Sequence, residues 1–389
     1  MNKLYTTPAA INTPQLTDNK IQRYLSLDVL RGMTIALMIV VNTPGSWETI
    51  YPPFRHAPWH GFTVTDLVFP TFLFVVGNAL SFSMRKFQGH DSEFLKKIFK
   101  RTALIFLIGL FLNAFPFVTR VNGELTLIDF SGIRIFGVLQ RIALCYGIAA
   151  LVIHYFKAPG ALIFSGLALL GYWAIMYIFG DQPDPYTLPG NAALKLDLWL
   201  LSEKNVYQGY GIPFDPEGLL STLPAVVNVL GGYFAGRFIQ RSGNNKNTVM
   251  RLALAGVVLT ALGLIWDILF PINKPIWTSS YVVYTIGLDL LILATIMLLI
   301  EVANFKSWTY FFEAFGKNPL FIYALSGVLI ETLGLIRVDG RGLPGWLYQN
   351  LFTSWLSGEN ASLLFAITYM LLLWLVAYLM DKKKIYLKI

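Results

Sequence analysis

The sequence predicts an all-α integral membrane protein, a single helical bundle of about ten transmembrane helices with both termini in the cytoplasm. Three features predict it. Apolar residues make up 55% of the 389 and charged residues only 13%, far from the balance of a soluble domain. The apolar residues gather in successive runs near the roughly 20 that a helix needs to cross a bilayer. The basic residues alternate between dense and sparse connections, as orientation in a membrane requires.

Ahead of the first run, residues 1–23 hold neither an apolar stretch nor a small-residue cleavage site. They read as a disordered cytoplasmic tail rather than a signal peptide. Spans are expected at roughly 27–43, 64–84, 102–117, 133–155, 161–179, 219–239, 252–270, 278–300, 320–336 and 361–380. Pro70, Gly77 and the Gly231-Gly232 pair fall inside them and predict kinks or close helix contacts. Between the fifth and sixth runs, residues 181–218 form the longest connection, with turn-forming Asp-Gln-Pro-Asp-Pro at its start and a short interfacial helix expected over 192–201. Residues 24–389 are therefore one transmembrane domain with an extracytoplasmic loop at 181–218.

Orientation follows from the cations. Lys3, Lys20 and Arg23, then Arg85 to Arg101, then Arg237 to Arg251, and finally Lys382 to Lys384 fall on one side, leaving few basic residues on the other. The dense side is cytoplasmic, so His56 lies at the outer face. The same distribution explains the net charge of +8 without a nucleic-acid partner. A lone cysteine, Cys145, excludes an intrachain disulfide and a thiolate metal site. His56 and His60 have a helical zinc-ligand spacing, but Pro58 between them breaks the helix such a site needs, and no metal is expected.

The chemistry-bearing stretch joins the first two spans. Asn42 ends one span, His56 and His60 lie in the loop, and Asp66 opens the next span. Imidazole titrates near neutrality and can take and return a proton. A carboxylate ten residues on can hold its tautomer, and an amide can donate to a developing oxyanion. A solvated histidine beside an aspartate that caps a helix has the same spacing. Charges inside spans are costly and usually face a cavity or a partner. Asp28 and Arg31 can pair three apart on one helix face. Arg134 and Arg141, seven apart on one helix, can hold phosphates or pair with Asp289, Asp267 or Glu331. Lys317 can meet an anion or extend toward the headgroups.

These stretches resemble one family. The runs Ser26–Met33, His56–Pro70, Gly137–Arg141, Phe214–Gly218 and Pro271–Trp277, with Val41-Asn42 and more weakly Gly316–Pro319, are similar to heparan-alpha-glucosaminide N-acetyltransferase and its bacterial relatives, in the same order. The resemblance implies a membrane enzyme that draws on cytoplasmic acetyl-CoA and acetylates the amine of a terminal glucosamine on the far side of the membrane. It matches His56 to the family's active-site histidine, Asn42 and Asp66 to polar residues grouped with it, and Arg141 and Trp277 to the acetyl-CoA tunnel. Arg31, Arg101 and Lys317 join Arg141 as candidate phosphate contacts near the inner mouth of that tunnel. His56 acts there either as base in a direct transfer or as the carrier of the acetyl group. The chain departs from the animal members in lacking a large luminal N-terminal domain and in carrying His60 where they have a smaller amide residue. A bacterial inner membrane and a homodimer are implied by likeness alone. Two other readings compete: an O-acyltransferase acting on the hydroxyl of a cell-envelope sugar, and a solute transporter, for which an internal repeat is expected and none is evident.

Overall fold

The computed structural model describes residues 24–84 and 91–387. The expected tail, with Lys3, Lys20 and Arg23, lies outside the described residues, as do Arg85, Lys86 and His90. Among the described residues, seven helices are long and apolar enough to cross a membrane, or eight if one bent pair counts as a span. They are α1 (Leu25–Asn42), α2 (Val64–Ser83), α4 (Val138–Phe179), α6 (Leu219–Ser242), α7 (Lys246–Asp267), α8 with its π turn (Ser279–Val302) and α12 (Gly358–Lys382). The bent pair is α9 (Thr309–Lys317) and α10 (Pro319–Leu335), which meet at 82° around Asn318, where Pro319 has no N–H to continue the first helix.

This count differs from the ten expected spans in two places. The expected fourth and fifth spans are one helix of 42 residues, broken where Lys157 takes a φ of 57° just before Pro159. The third, α3 (Asp91–Ala114), starts well before the expected boundary and carries Asp91, Glu93, Lys96, Lys97, Lys100 and Arg101 in its first half. Helix propensity continued through the charged stretch that hydropathy had excluded.

The fold also departs from all-α in detail. Two short antiparallel hairpins lie outside the helices: β1 (Val118–Val121) with β2 (Glu124–Leu127), and β3 (Arg337–Val338) with β4 (Arg341–Gly342). Asn122-Gly123 and Asp339-Gly340 supply the positive φ values that tight hairpin turns need. The expected interfacial helix is present as α5 (Ala192–Leu200), capped by Asn191. One helical turn, α11 (Leu343–Leu347), precedes α12.

Small residues let the central helices touch backbone to backbone. A Cβ at Gly77 of α2 would stand 1.8 Å from the Val229 carbonyl oxygen, and one at Gly232 of α6 would stand 1.8 Å from that of Phe74. The α2–α6 crossing is therefore closed to any residue larger than glycine at both points. A main core runs through α1, α2, α4, α6 and α8. A second cluster, built from Tyr172, Met176, Tyr186, Phe214, Phe270 and Ile276, packs the 181–218 connection down as a cap. Trp59 ties the His56 loop into that cap by donating its indole N–H to the Tyr186 carbonyl at 2.9 Å and by edge contacts with Phe214 and Tyr210.

Candidate active site

The His56 loop is held by one carboxylate. Asp66 is the third residue of α2, and its Oδ2 accepts from the N–H of Thr63 at 3.0 Å and of Ala57 at 3.1 Å, and from the Thr63 hydroxyl at 3.0 Å. These contacts complete a capping box with Thr63 at the helix start. Its other oxygen, Oδ1, lies 2.6 Å from His56 Nδ1. An ionised carboxylate only accepts, so the ring proton sits on Nδ1 and Nε2 keeps its lone pair. Asp66 is 1% exposed at its side chain and His56 50%: the orienting group is sealed and the oriented ring is open.

A second group reaches the ring from a distant part of the chain. Lys274 Nζ lies 3.1 Å from Nδ1 and 3.3 Å from Nε2, and 3.8 Å from Asp66 Oδ1. Near-equal distances to nitrogens that flank Cε1 put the ammonium against the ring face rather than in line with the Nε2 lone pair. Burial lowers the pKa of Lys274 from its ordinary value, although Asp66 and Glu217 oppose the shift. The Pro271–Trp277 turn places it: the Trp277 N–H donates to the Lys274 carbonyl at 3.0 Å, Asn273 Oδ1 accepts from the Ile276 N–H at 2.9 Å, and Trp277 adopts a φ of 50°. A positive φ at a bulky residue costs on the order of 1–3 kcal/mol and persists only where the surroundings over-determine it. Here Trp277 is 1% exposed, donates its indole N–H to Asn228 Oδ1 at 3.0 Å, and meets Phe69 and Tyr281 edge-on.

Two cavities meet at these groups. The larger, about 220 Å³, is lined by His56, Asp66, Arg134, Tyr207, Tyr210, Glu217, Lys274 and Trp277 among others. The smaller, about 140 Å³, is lined in equal parts by apolar residues, Met38, Val41, Val68, Phe69 and Val138, and by polar ones, Asn42, His56, Thr65, Glu217 and Lys274. His56, Val138, Glu217 and Lys274 belong to both. Asn42 thus lines the smaller cavity, Asp66 the larger, and His56 both.

The expected cation sites are more scattered. Arg141, expected near an inner mouth, lies instead in the first turn of α4 at the His56 end. It is fully buried, with its guanidinium 4.9 Å over the Trp277 ring and Nη2 donating to the Gly218 carbonyl at 3.0 Å and to the Ser221 hydroxyl. Its Nε and Nη1 have no hydrogen-bond partner among the described residues. Helix α4 begins only at Val138, so Arg134 stands ahead of the helix and the two arginines form no one-helix stripe. Both arginines instead converge on the 215–221 segment, where Arg134 pairs with Asp215 and Glu217. Two of the partners considered for them are engaged elsewhere, Asp289 accepting from the Thr71 hydroxyl and Asp267 from the Ile272 N–H, and the third, Glu331, is exposed on α10. At the opposite end of the bundle Arg31 pairs with Asp28 at 3.1 Å, and Lys317 pairs with Asp381 at 2.8 Å. Arg101 lies part-way along α3, 4.8 Å from the Tyr146 ring centre. His60 contacts Asn273 Nδ2 at 3.3 Å, and burial lowers its pKa. Among the described residues no cluster of three or more metal-ligating side chains forms.

Lys274 and Glu217 are the functional candidates that reading the sequence residue by residue did not single out. Each lay inside a run that carried the family resemblance, and that was their only signal.

Comparison with known proteins places the chain as a whole. The family model for heparan-alpha-glucosaminide N-acetyltransferase, catalytic, matches residues 23–264, a stretch that contains Asn42, His56, Asp66, Arg141 and Glu217. Heparan-alpha-glucosaminide N-acetyltransferase of Mus musculus is 26% identical over an alignment covering 97% of this chain and 62% of that protein. The Homo sapiens protein of the same name is 27% identical, covering 94% of this chain and 60% of its own length. The chain spans about three fifths of the length of these relatives. With more than half of its residues inside the family model, the chain belongs to the heparan-alpha-glucosaminide N-acetyltransferase catalytic family.

Proposed function

We propose that this chain is a transmembrane acetyltransferase that moves the acetyl group of cytoplasmic acetyl-CoA to an amino sugar on the extracytoplasmic side, with His56 as general base. One observation carries the reading: an imidazole with its Nδ1 held by a buried carboxylate stands on the wall shared by two cavities. Two-substrate transfer needs such a wall, because donor and acceptor must meet at the proton-accepting atom. The smaller cavity, with Met38, Val41, Val68 and Phe69 on part of its wall, suits a thioester's acetyl end, with Asn42 as the amide near its carbonyl. The larger one, with Tyr207, Tyr210 and Trp277 beside charged groups, suits a sugar ring.

In this mechanism the acceptor nitrogen attacks the thioester carbon while its proton passes to His56 Nε2. Asp66 stabilises the imidazolium that forms. N–H groups of Asn42 and Lys274 receive the oxyanion. As the C–S bond breaks, the proton returns from His56 to the departing thiolate. Arg141 and Trp277 sit in the His56 layer and serve the thioester end of the donor. Arg31 and Lys317, at the opposite end, serve its phosphates, and Arg101 lies between.

The membrane arrangement belongs to the same proposal. A straight helix of 42 residues would measure about 63 Å, twice the roughly 30 Å hydrocarbon layer, which supports two crossings for α4 with the turn at Lys157. Counting α3 and α10 as crossings too gives ten, with cytoplasmic termini, one domain over 24–389 and 181–218 outside, in a bacterial inner membrane.

His56→Ala tests the reading. Transfer of labelled acetyl from acetyl-CoA to glucosamine should vanish while expression and melting in detergent are kept. Wild-type acetylation by this variant would remove His56 from the chemistry.

A further inference from the structure

A third cavity, of about 410 Å³, lies between α1, α2, α8, α9 and α12. Its α1 wall runs from Leu30 to Val40, a rise of about 15 Å at 1.5 Å per residue, or about half of the roughly 30 Å hydrocarbon layer. The cavity reaches the surface at Val64, the first residue of α2, which is 46% exposed. Phe311 and Phe312 of α9 stand at its other end. That end is shut: a Cβ at Gly32 of α1 would stand 1.8 Å from the Phe312 carbonyl oxygen, and Phe311 stacks on Trp374 while its carbonyl accepts from the Trp374 indole N–H at 2.9 Å. The space is a blind crevice, about as deep as one leaflet, within the membrane-spanning part of the bundle.

The chemistry of its wall selects the occupant. Thr34 and Thr71 are the two polar side chains that line it, and both hydroxyl protons are committed. Thr34 Oγ1 donates to the Leu30 carbonyl at 2.8 Å, and Thr71 Oγ1 to Asp289 Oδ1 at 2.6 Å. Water needs two to four polar partners and finds none to spare. The donor's pantetheine arm fits no better, because its amides would be buried without hydrogen bonds. Helix geometry also separates the donor from this crevice: at about 100° per residue, Arg31, Met38 and Asn42 share one face of α1, whereas Met33, Leu37 and Val40 lie on the opposite one. Walls of this kind gain dispersion contacts only from an apolar body, and in a bilayer that body is a lipid chain.

We propose that this crevice is a binding site for one acyl chain of a phospholipid from the leaflet on the His56 side, entering at Val64 and ending against Phe311 and Phe312. The chain wedges between α1 and α2, the helices that carry Asn42 and Asp66, and Val68 lines both the crevice and the smaller cavity of the site. The head group stays at the membrane surface, so recognition rests on chain length rather than on head-group charge. This inference requires a bundle that spans a bilayer and stands apart from the acyl-transfer reading.

The test uses the full chain in a steroid-based detergent, which has no alkyl tail to fill the crevice. Phosphatidylglycerol with sixteen-carbon chains is compared with its six-carbon analogue. Native mass spectrometry should find one long-chain lipid held per chain, and that lipid should raise the melting temperature by at least about 3 °C where the short-chain analogue does not. Leu37→Trp, which fills the crevice from α1, should lose both effects. Equal shifts with the two lipids mean head-group binding and overturn the proposal. So does the absence of a retained long-chain lipid in wild type, or a Leu37→Trp protein that holds it as tightly. If that variant does not fold, the comparison of the two lipids on wild type decides by itself.

Discussion

Asp66→Asn should leave the loop folded and stop the reaction, because the two carboxylate oxygens do different work. Oδ2 accepts three hydrogen bonds, from the Ala57 and Thr63 N–H groups and the Thr63 hydroxyl. Of the two orientations open to an asparagine, only one satisfies them, with the amide oxygen at the Oδ2 position. The NH₂ then occupies the Oδ1 position, 2.6 Å from His56 Nδ1, and donates where the carboxylate accepted. His56 must offer Nδ1 as acceptor and carry its proton on Nε2, the tautomer that cannot serve as base. In a serine-protease triad the same change lowers kcat by about 10⁴-fold, and the geometry here calls for a loss of about 10³ to 10⁴, or roughly 4–5.5 kcal/mol of barrier. Stability should fall less, by about 1.5–3 kcal/mol for one charge-assisted hydrogen bond. The assay is steady-state transfer of labelled acetyl to glucosamine, with thermal melting of the same preparation. A kcat within tenfold of wild type would refute the tautomer argument, even if the loop had loosened.

Other expectations follow from the same structure. Arg141→Ala should raise the KM for acetyl-CoA, since the guanidinium is fully buried over Trp277 with Nε and Nη1 unpartnered among the described residues; an unaltered affinity, read by equilibrium binding, would separate Arg141 from the donor site. Asp197→Asn should stabilise the protein in a pH-dependent way. Burial raises the Asp197 carboxyl to about 7 from an ordinary 3.8, so the folded state resists an ionisation that the unfolded chain accepts. The resulting penalty is absent below about pH 4, grows as pH rises toward 7 and is level above it, on the order of 4 kcal/mol. Asparagine keeps an acceptor for the Leu219 N–H that Asp197 Oδ1 binds at 2.9 Å, and melting curves should therefore diverge between pH 4 and 7. An offset that does not vary with pH would contradict the buried-carboxyl account.

Much of this protein was written locally. Apolar runs near the length of a bilayer crossing marked most of the long helices, because burial in lipid depends on the composition of each segment by itself. The spacing of His56 and Asp66 was legible for a similar reason: both sit within one loop and the first turn of one helix, where Thr63 and Asp66 form a local cap. Gly77 and Gly232 hinted at close contact, but their partners, Val229 and Phe74, could not be read from either segment.

Only the tertiary structure decided what stands opposite the imidazole. Lys274 lies 218 positions from His56 along the chain, and the arginines at 134 and 141 meet the 215–221 segment some 80 residues away. Periodicity records which face of a helix is buried. It does not record which neighbour that face meets or at what depth, so Arg141 was expected at the wrong end of the bundle and Arg134 on a helix that begins four residues after it. Those choices come from shape and charge matching among elements distant in sequence, where a fixed carboxylate such as Asp215 settles an arginine that composition leaves free to pair with several acids.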